Sequence, residues 1–191
     1  MRHSSLTVIR DEHQALAAML RSIPMLLDKA RRDGVPPPFE VLRAMLFYVD
    51  EFPERLHHTK ESELLFPKLR ARCPELSDTL DRLDADHSRG EAAILRLEHL
   101  MLAYEVMGEP RRQAFDDAVA HYIDDYLRHM MIEEKEILPA ARTHFSEADW
   151  DELDAAFAAN CDPLTGHDPG DEYRPLFSKI LMSAPAPIGL G

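Results

Sequence analysis

Several residue types are scarce in this chain, and each shortage excludes a class of protein. The 191 residues include only two cysteines, Cys73 and Cys161, which form no C-x-x-C pair. This argues against a disulfide scaffold or a thiolate metal site and favours a reducing compartment. No apolar run reaches the length of a transmembrane helix, and residues 1–12 lack the apolar core of a signal peptide. We therefore expect a cytoplasmic protein.

Positive charge is also in short supply. Lysine and arginine together number 22 against 35 acidic residues, which gives a formal net charge of −13. Proteins that bind duplex nucleic acid or anionic membrane surfaces normally carry the opposite balance. We therefore expect no nucleic acid and no membrane among the partners, whereas assembly into a homo-oligomer stays open.

Glycine is rare as well, with 7 residues, and the 14 prolines cluster at the edges of long segments. These segments repeat apolar residues at steps of three and four, which is typical of helices. The sequence predicts an all-α fold, an up-down-up-down four-helix bundle with a short extra C-terminal helix and an irregular tail. Residues 1–145 are expected to form the bundle, and 146–191 the extra helix and tail. The predicted helices cover about residues 6–32, 39–72 with a candidate bend at Pro53, 75–107, 111–143 and 147–159.

Each of the four long helices carries one histidine in its apolar stripe, and two of them add a glutamate one turn later. A single histidine of this kind is usually a hydrogen-bonded core residue. Several buried imidazoles and carboxylates without partners are costly, however, and a pair of divalent cations would satisfy all of them together. The candidate metal ligands are His13, His57, Glu61, His87, His129 and Glu133.

The candidate ligands are arranged as a repeat. An H-x-x-x-E motif occurs at residues 57–61 and again at 129–133, and a proline follows each glutamate after six residues. A separate histidine, His13 or His87, precedes each copy and itself follows an acidic residue. The spacing places a nitrogen and an oxygen ligand one helical turn apart. Two related hairpins with this ligand set favour a dinuclear site.

At these residues the chain resembles the hemerythrin-like (HHE cation-binding) family. The segment HHTKESELLFP at residues 57–67 is very similar to the second-helix signature of that family, and the resemblance covers about residues 5–145. It implies a four-helix bundle that encloses two Fe ions, bridged by carboxylates and by an oxo or hydroxo group. It further implies that His13 and His57 belong to one hairpin, that His87 and His129 belong to the other, and that Glu61 and Glu133 bridge the irons. Imidazole and carboxylate ligands by themselves leave Zn or Mn open.

The chain departs from the oxygen-carrying members of the family, which have a second histidine on the third helix. Here the residue four positions after His87 is Glu91, so no fifth nitrogen ligand is identified. Glu91 is either a ligand or a solvated carboxylate, and His58 is expected beside the ligands or at an interface. Tyr122 and Tyr126 lie on the stripe of His129 and either donate hydrogen bonds to a bound ligand or pack in the core, which we favour.

Three functions fit this sequence. The favoured one is a non-catalytic protein that binds or senses O2, NO or peroxide at the dinuclear centre, and Gly90 beside His87 could leave room for such a small ligand. The second is a di-iron redox enzyme or an iron–sulfur repair or iron-donor factor. The third is a structural bundle that holds zinc or no metal. A ferritin-like oxidase is less favoured because that class repeats Glu-x-x-His, and only Glu54-x-x-His57 matches.

Overall fold

The structure is a computed structural model that describes residues 3–190, and within that range the chain is all-helical, with no strand. The first helix, α1, spans Ser4–Asp33 and buries a continuous apolar stripe. It ends at Gly34, whose φ of 66° lies in the left-handed region that glycine adopts without strain. The predicted helix and its glycine cap are confirmed.

The second helix, α2, covers residues 39–72 and alternates between α-helical and π-helical turns. Proline offers no backbone N–H and clashes with the carbonyl four residues earlier, so it interrupts the α-helical ladder. Pro53 lies inside the first π segment, and Pro67 follows the second. The bend expected at Pro53 is therefore a change of helix type. The α segments are Phe39–Val49, His58–Lys60 and Phe66–Arg72, and the π segments are Asp50–His57 and Glu61–Leu65.

The third and fourth helices follow the predicted order. A short 3-10 turn, Pro74–Leu76, leads into α3, which spans Ser77–Met107. The fourth helix, α4, covers residues 112–144 and contains a π segment, Glu133–Ile137, just before Pro139. The π turn thus recurs at the second H-x-x-x-E motif, as the sequence repeat would suggest.

The chain after the long helices adds two shorter ones. The helix α5 spans Glu147–Ala158 and starts at a capping box, in which Ser146 and Asp149 exchange hydrogen bonds between side chain and backbone. The expectation of an irregular tail is wrong, because α6 spans Gly170–Ser183. Its apolar residues Phe177 and Ile180 pack against α2, which outweighs the interruption caused by Pro175.

Two apolar cores lie on either side of a polar layer. One core contains Leu16 of α1 and Ile94 of α3, whereas the other contains Ile9 and Leu83 of the same two helices. His13 and His87 fall between these positions. The helix α5 packs along α1 and extends the second core. Among the described residues, no helix is both long and apolar enough to cross a membrane.

Candidate metal centre

The polar layer between the two cores brings together all six candidate ligands from the sequence. The four histidines come from four different helices, α1 to α4, and each is at most 7% exposed. Glu61 and Glu133 are both 0% exposed. Six ionisable groups therefore share one buried volume, where each needs a partner.

The outward-facing Nδ1 atom of each histidine lies near an oxygen atom. His57 Nδ1 donates to Glu12 Oε2 at 2.6 Å, and Glu134 Oε1 lies 3.2 Å from the Nδ1 of His13. Ser62 Oγ lies 2.8 Å from His87 Nδ1, and Asp86 Oδ2 lies 3.6 Å from His129 Nδ1. An outer partner of this kind fixes the orientation of an imidazole and leaves its other nitrogen free for a metal.

The inward-facing Nε2 atoms converge on the two glutamates. The Nε2–oxygen distance is 3.1 Å between His57 and Glu61 and 3.1 Å between His129 and Glu133. His13 Nε2 lies 3.4 Å from Glu133. Among the described residues, none of the four oxygen atoms of the glutamates has a hydrogen-bond partner, because these contacts are close but poorly aligned. Buried carboxylate oxygens without hydrogen bonds are costly, and they fit coordination to cations.

The donor atoms form two groups that share one glutamate. Within each group the donor atoms lie within 4.8 Å of one another. The first group consists of His13, His57 and Glu61, and the second of His58, Glu61, His87 and His129. Glu61 therefore lies between two candidate cation positions. This buried cluster of histidine and glutamate fits a metal site.

The pKa values show how the protein groups balance their charges among themselves. Burial lowers the pKa of His87 to about 3. Burial also acts to lower the pKa of His129, but the negative charge of Glu133 and the nearby carboxylate of Asp86 raise it to about 10. Burial likewise opposes protonation of His57, yet Glu61 and Glu12 raise its pKa well above the usual range. The protons on His57 and His129 thus supply the positive charge that bound cations would otherwise supply to the two glutamates.

The two glutamates differ in their ionisation. Burial and repulsion from Glu133 both raise the pKa of Glu61. Burial acts to raise the pKa of Glu133 too, but the positive charge of His129, 3.1 Å away, lowers it below its usual range. The negative charge of each carboxylate thus disfavours ionisation of the other. A cation shared between them would offset this repulsion.

A second hydrogen-bonded network adjoins this cluster, and sequence reasoning did not identify it. Glu54 is 1% exposed and accepts hydrogen bonds from His58 at 3.0 Å and from Tyr122 at 2.7 Å. Tyr126 lies 2.8 Å from the Nε2 of His58. Burial raises the pKa of Glu54 to about 7 and the pKa values of both tyrosines well above 10. The tyrosines therefore stay protonated and can donate hydrogen bonds.

The positions of the other candidate residues show which of them can take part in the site. Glu91 is exposed on α3 and belongs to neither donor group. A Cβ on Gly90 would point at the carboxylate of Glu54, although Gly90 also lines a cleft between α3 and α4. The one signal for Glu54 was the Glu-x-x-His spacing to His57, which alone could not show that it contacts His58 and Tyr122.

Two cavities adjoin the cluster. A small one of about 10 Å³ is lined by residues that include His13, His57 and Tyr126, and this is about the size needed to hold a single water molecule. A cleft of about 840 Å³ lies between α3 and α4 and reaches His87 and His129. His58 and Tyr126 line both cavities. A small ligand in the cleft can therefore reach the small cavity beside the cluster if His58 and Tyr126 move apart.

The chain was compared with known proteins. The family model described as hemerythrin HHE cation binding domain matches residues 4–141. No curated protein and no solved structure matches the chain. The matched range contains all six candidate ligands and ends before α5.

Proposed function

We propose, on the premise that the chain belongs to the hemerythrin HHE cation-binding family, that it holds two iron ions at this centre and binds or senses O2, NO or peroxide there. One observation carries the proposal: within residues 3–190, all four oxygens of Glu61 and Glu133 are buried without a hydrogen bond, and imidazole nitrogens of His13, His57 and His129 lie 3.1–3.4 Å from them. Carboxylates in this position suit a bridge between two cations.

The residues divide between two positions. We assign His13 and His57 to one ion and His87 and His129 to the other, with Glu61 and Glu133 between them. His58 belongs to the second donor group, but both its ring nitrogens already have partners, Glu54 and Tyr126. We therefore assign His58 to the hydrogen-bonded network beside the metal.

The architecture that we infer around this centre is an up-down-up-down four-helix bundle of residues 1–145, with residues 146–191 as an addition to it. Contacts between α1 and α2, α2 and α3, α3 and α4, and α4 and α1 support this arrangement. Residues 1, 2 and 191 of these ranges lie outside the described part of the chain.

The surroundings of the centre suit a small ligand. When bound, iron supplies an open coordination position and a change of oxidation state. The cavity of about 10 Å³ matches a single water molecule, whereas the cleft of about 840 Å³, which His87 and His129 line, has room for a diatomic molecule or peroxide. Tyr126 lines the small cavity. Its hydroxyl stays protonated and donates its proton to His58, so it can donate to an occupant of the cavity only in exchange for that hydrogen bond.

A di-iron redox enzyme is the second candidate function, and the cleft between α3 and α4 favours it. Its volume of about 840 Å³ lies within the range of pockets that bind substrates larger than a diatomic molecule. Turnover of peroxide or NO well above that of free iron would support the enzyme, whereas reversible binding without turnover would support the sensor. Release of iron to an acceptor protein would support an iron donor.

The first experiment is metal analysis with an absorption spectrum on protein purified in air after growth with iron. We expect two irons per chain and near-ultraviolet and visible bands that change with azide and disappear with dithionite. A colourless protein that contains zinc would contradict the proposal, as would a protein without metal.

Replacement of His57 or Glu133 by alanine should remove metal and lower thermal stability together. Binding to the folded state alone adds about 4 kcal/mol when the ligand is at a thousandfold its dissociation constant. His99, an exposed histidine of α3, provides the matched control, and H99A should keep both metal and stability. Unchanged melting of H57A and E133A would argue against ligation.

A further inference from the structure

The segment that follows α5 lies against the metal centre, although the family match ends at residue 141. The helix α5 ends at Ala158, and Cys161 then adopts a φ of 48°, which turns the chain. This turn leaves Cys161 exposed while the side chains on either side of it, Asn160 and Asp162, point into the protein and are 6% and 4% exposed. Buried polar side chains in such a link need specific partners.

Asn160 finds its partner next to a candidate ligand. Its Nδ2 atom donates to Glu12 Oε2 at 2.9 Å, and the same oxygen accepts from His57 Nδ1 at 2.6 Å. On its other side, the Oδ1 atom of Asn160 accepts a hydrogen bond from Lys60. The amide is thus held between the two helices that carry the site, α1 and α2.

The rest of the segment packs on the same side of the centre. The ring of Phe157 lies edge-on to that of His57, with centroids 5.6 Å apart. Asp162 accepts from the hydroxyl of Tyr48 at 2.7 Å and from the backbone of Leu164 at 2.9 Å. Asn160 and Asp162 also line the small cavity.

From these contacts we propose that Asn160 is a positioning residue of the metal centre, which fixes Glu12 and, through it, the ring of His57. The inference rests on the proposed function. When the ring of His57 is neutral, as a metal ligand must be, Nδ1 keeps the proton that it donates to Glu12, and the lone pair is on Nε2, which faces Glu61. Without the amide, Glu12 has one hydrogen bond fewer to hold it in place, and the orientation of His57 loosens. The segment beyond the family match is thus a working part of the site.

The test replaces Asn160 by leucine, which has a similar size and no hydrogen-bonding groups, and measures release of bound iron to a chelator. Outer partners of metal-bound histidines typically contribute about 10-fold to 100-fold in affinity. We expect N160L to release iron about 10-fold faster than the unmodified protein and to change its absorption spectrum. Asn160→Ser, which is smaller and cannot span the same distance, should act in the same direction if N160L does not fold.

Tyr48→Phe is the matched control, because it removes the hydrogen bond to Asp162 and leaves Glu12 and Asn160 untouched. We expect Y48F to lower thermal stability without changing the rate of iron release. A merely structural role for Asn160 predicts the same pattern for N160L as for Y48F, and this result would overturn the proposal.

A double-mutant cycle adds a second criterion. Glu12→Gln weakens the contact with His57, so N160L should have little further effect in the E12Q background. If the fold-changes in release rate caused by E12Q and N160L multiply in the double mutant, the two substitutions act independently. That result would contradict an effect of Asn160 through Glu12. If the unmodified protein binds no metal, the proposed function fails; if it binds metal and N160L releases it at the original rate, only the role of Asn160 fails.

Discussion

At the scale of single residues, the contact between Gly90 and Glu54 shows how closely the network beside the metal centre is packed. A Cβ atom added to Gly90 would lie 2.8 Å from both carboxylate oxygens of Glu54. That carboxylate is buried and accepts hydrogen bonds from His58 and Tyr122. These two hydrogen bonds hold the carboxylate against Gly90, so an added Cβ would push it away from His58 and Tyr122.

Gly90→Ala should therefore destabilise the protein. Helix propensity alone favours alanine over glycine by about 1 kcal/mol. Displacement of a buried, hydrogen-bonded carboxylate costs about 1–3 kcal/mol, more than the propensity gain when the network is disrupted as a whole. We expect a net loss of about 1 kcal/mol in the free energy of unfolding, measured by denaturant titration of the metal-free protein.

The control for this prediction removes the carboxylate. In the Glu54→Ala background, Gly90→Ala meets no oxygen atoms and should recover the stabilisation expected from helix propensity. A loss of the same size in both backgrounds would show that Gly90 is needed for some other reason.

The residues of the site were not equally predictable. His57 and Glu61 stand out in the sequence because polar residues interrupt an apolar stripe, and that stripe is a local property of one helix. Glu12 stands out only as the acidic residue before His13, and Asn160 looks like an ordinary surface residue; nothing near either of them in the sequence shows that they meet each other. Their contact joins residues that are 148 positions apart, so it depends on how the helices pack.

At the scale of elements, the π segments link the prolines of the sequence to the geometry of the ligands. Glu61 and Glu133 are each the first residue of a five-residue π segment, and a proline follows two residues after its end. A π segment accommodates an additional residue in an otherwise α-helical stretch and often occurs at functional sites. At both copies of the repeat, the proline therefore lies close to a π-helical segment, and that segment begins with the glutamate.

Deletion of Lys135, an exposed residue inside Glu133–Ile137, should remove the additional residue that the π segment accommodates, while Pro139 still interrupts the α-helical hydrogen bonds. Leu138 and Ala141 can then keep their buried faces, and the metal-free protein should remain about as stable. The changed backbone at Glu133 should weaken metal affinity by about 10-fold or more. Thermal melting and chelator competition measure the two effects separately.

Deletion of His167, in the exposed link between α5 and α6, is the matched control. It shortens the chain by one residue without touching a helix that carries a ligand, so metal affinity should not change. If the Lys135 deletion also leaves metal affinity unchanged, the π turn has no role in positioning Glu133.

The helices themselves were largely predictable, and the exceptions have local causes. The long helices follow from apolar residues at helical spacing, and their ends follow from caps such as Gly34 and Ser146. The π turns could not be foreseen because a proline indicates an interruption without fixing its form. In the tail, the sequence indicated only a short turn near residues 176–181, because the segments at 162–166 and 184–191 are rich in proline and glycine. The contacts of α6 with α2 stabilise a full helix there.

At the scale of the whole molecule, the metal centre joins four helices. Its ionisable side chains come from all four, and no single helix could bury them. The order and type of the long helices could be predicted from periodicity, but the packing of α5 against α1 could not, since one apolar face does not identify its partner. In the metal-free chain, the protonated His129 beside Glu133 stabilises this assembly. Because its pKa is raised, that stabilisation is complete below about pH 6.5 and declines as the pH rises towards 10.

Metal binding must displace these protons, because a metal takes the neutral form of an imidazole. At pH 7 the raised pKa values of His57 and His129 keep both rings protonated in the metal-free protein. We therefore expect binding to release about two protons per chain at pH 7 and affinity to rise with pH up to about 9. Calorimetric titration with Zn²⁺, which has no redox chemistry, in buffers of different ionisation enthalpy measures this number. Imidazoles with ordinary pKa values are about one quarter protonated at pH 7, so release of half a proton or less from these two rings would show that they are not paired with Glu61 and Glu133 before the metal arrives.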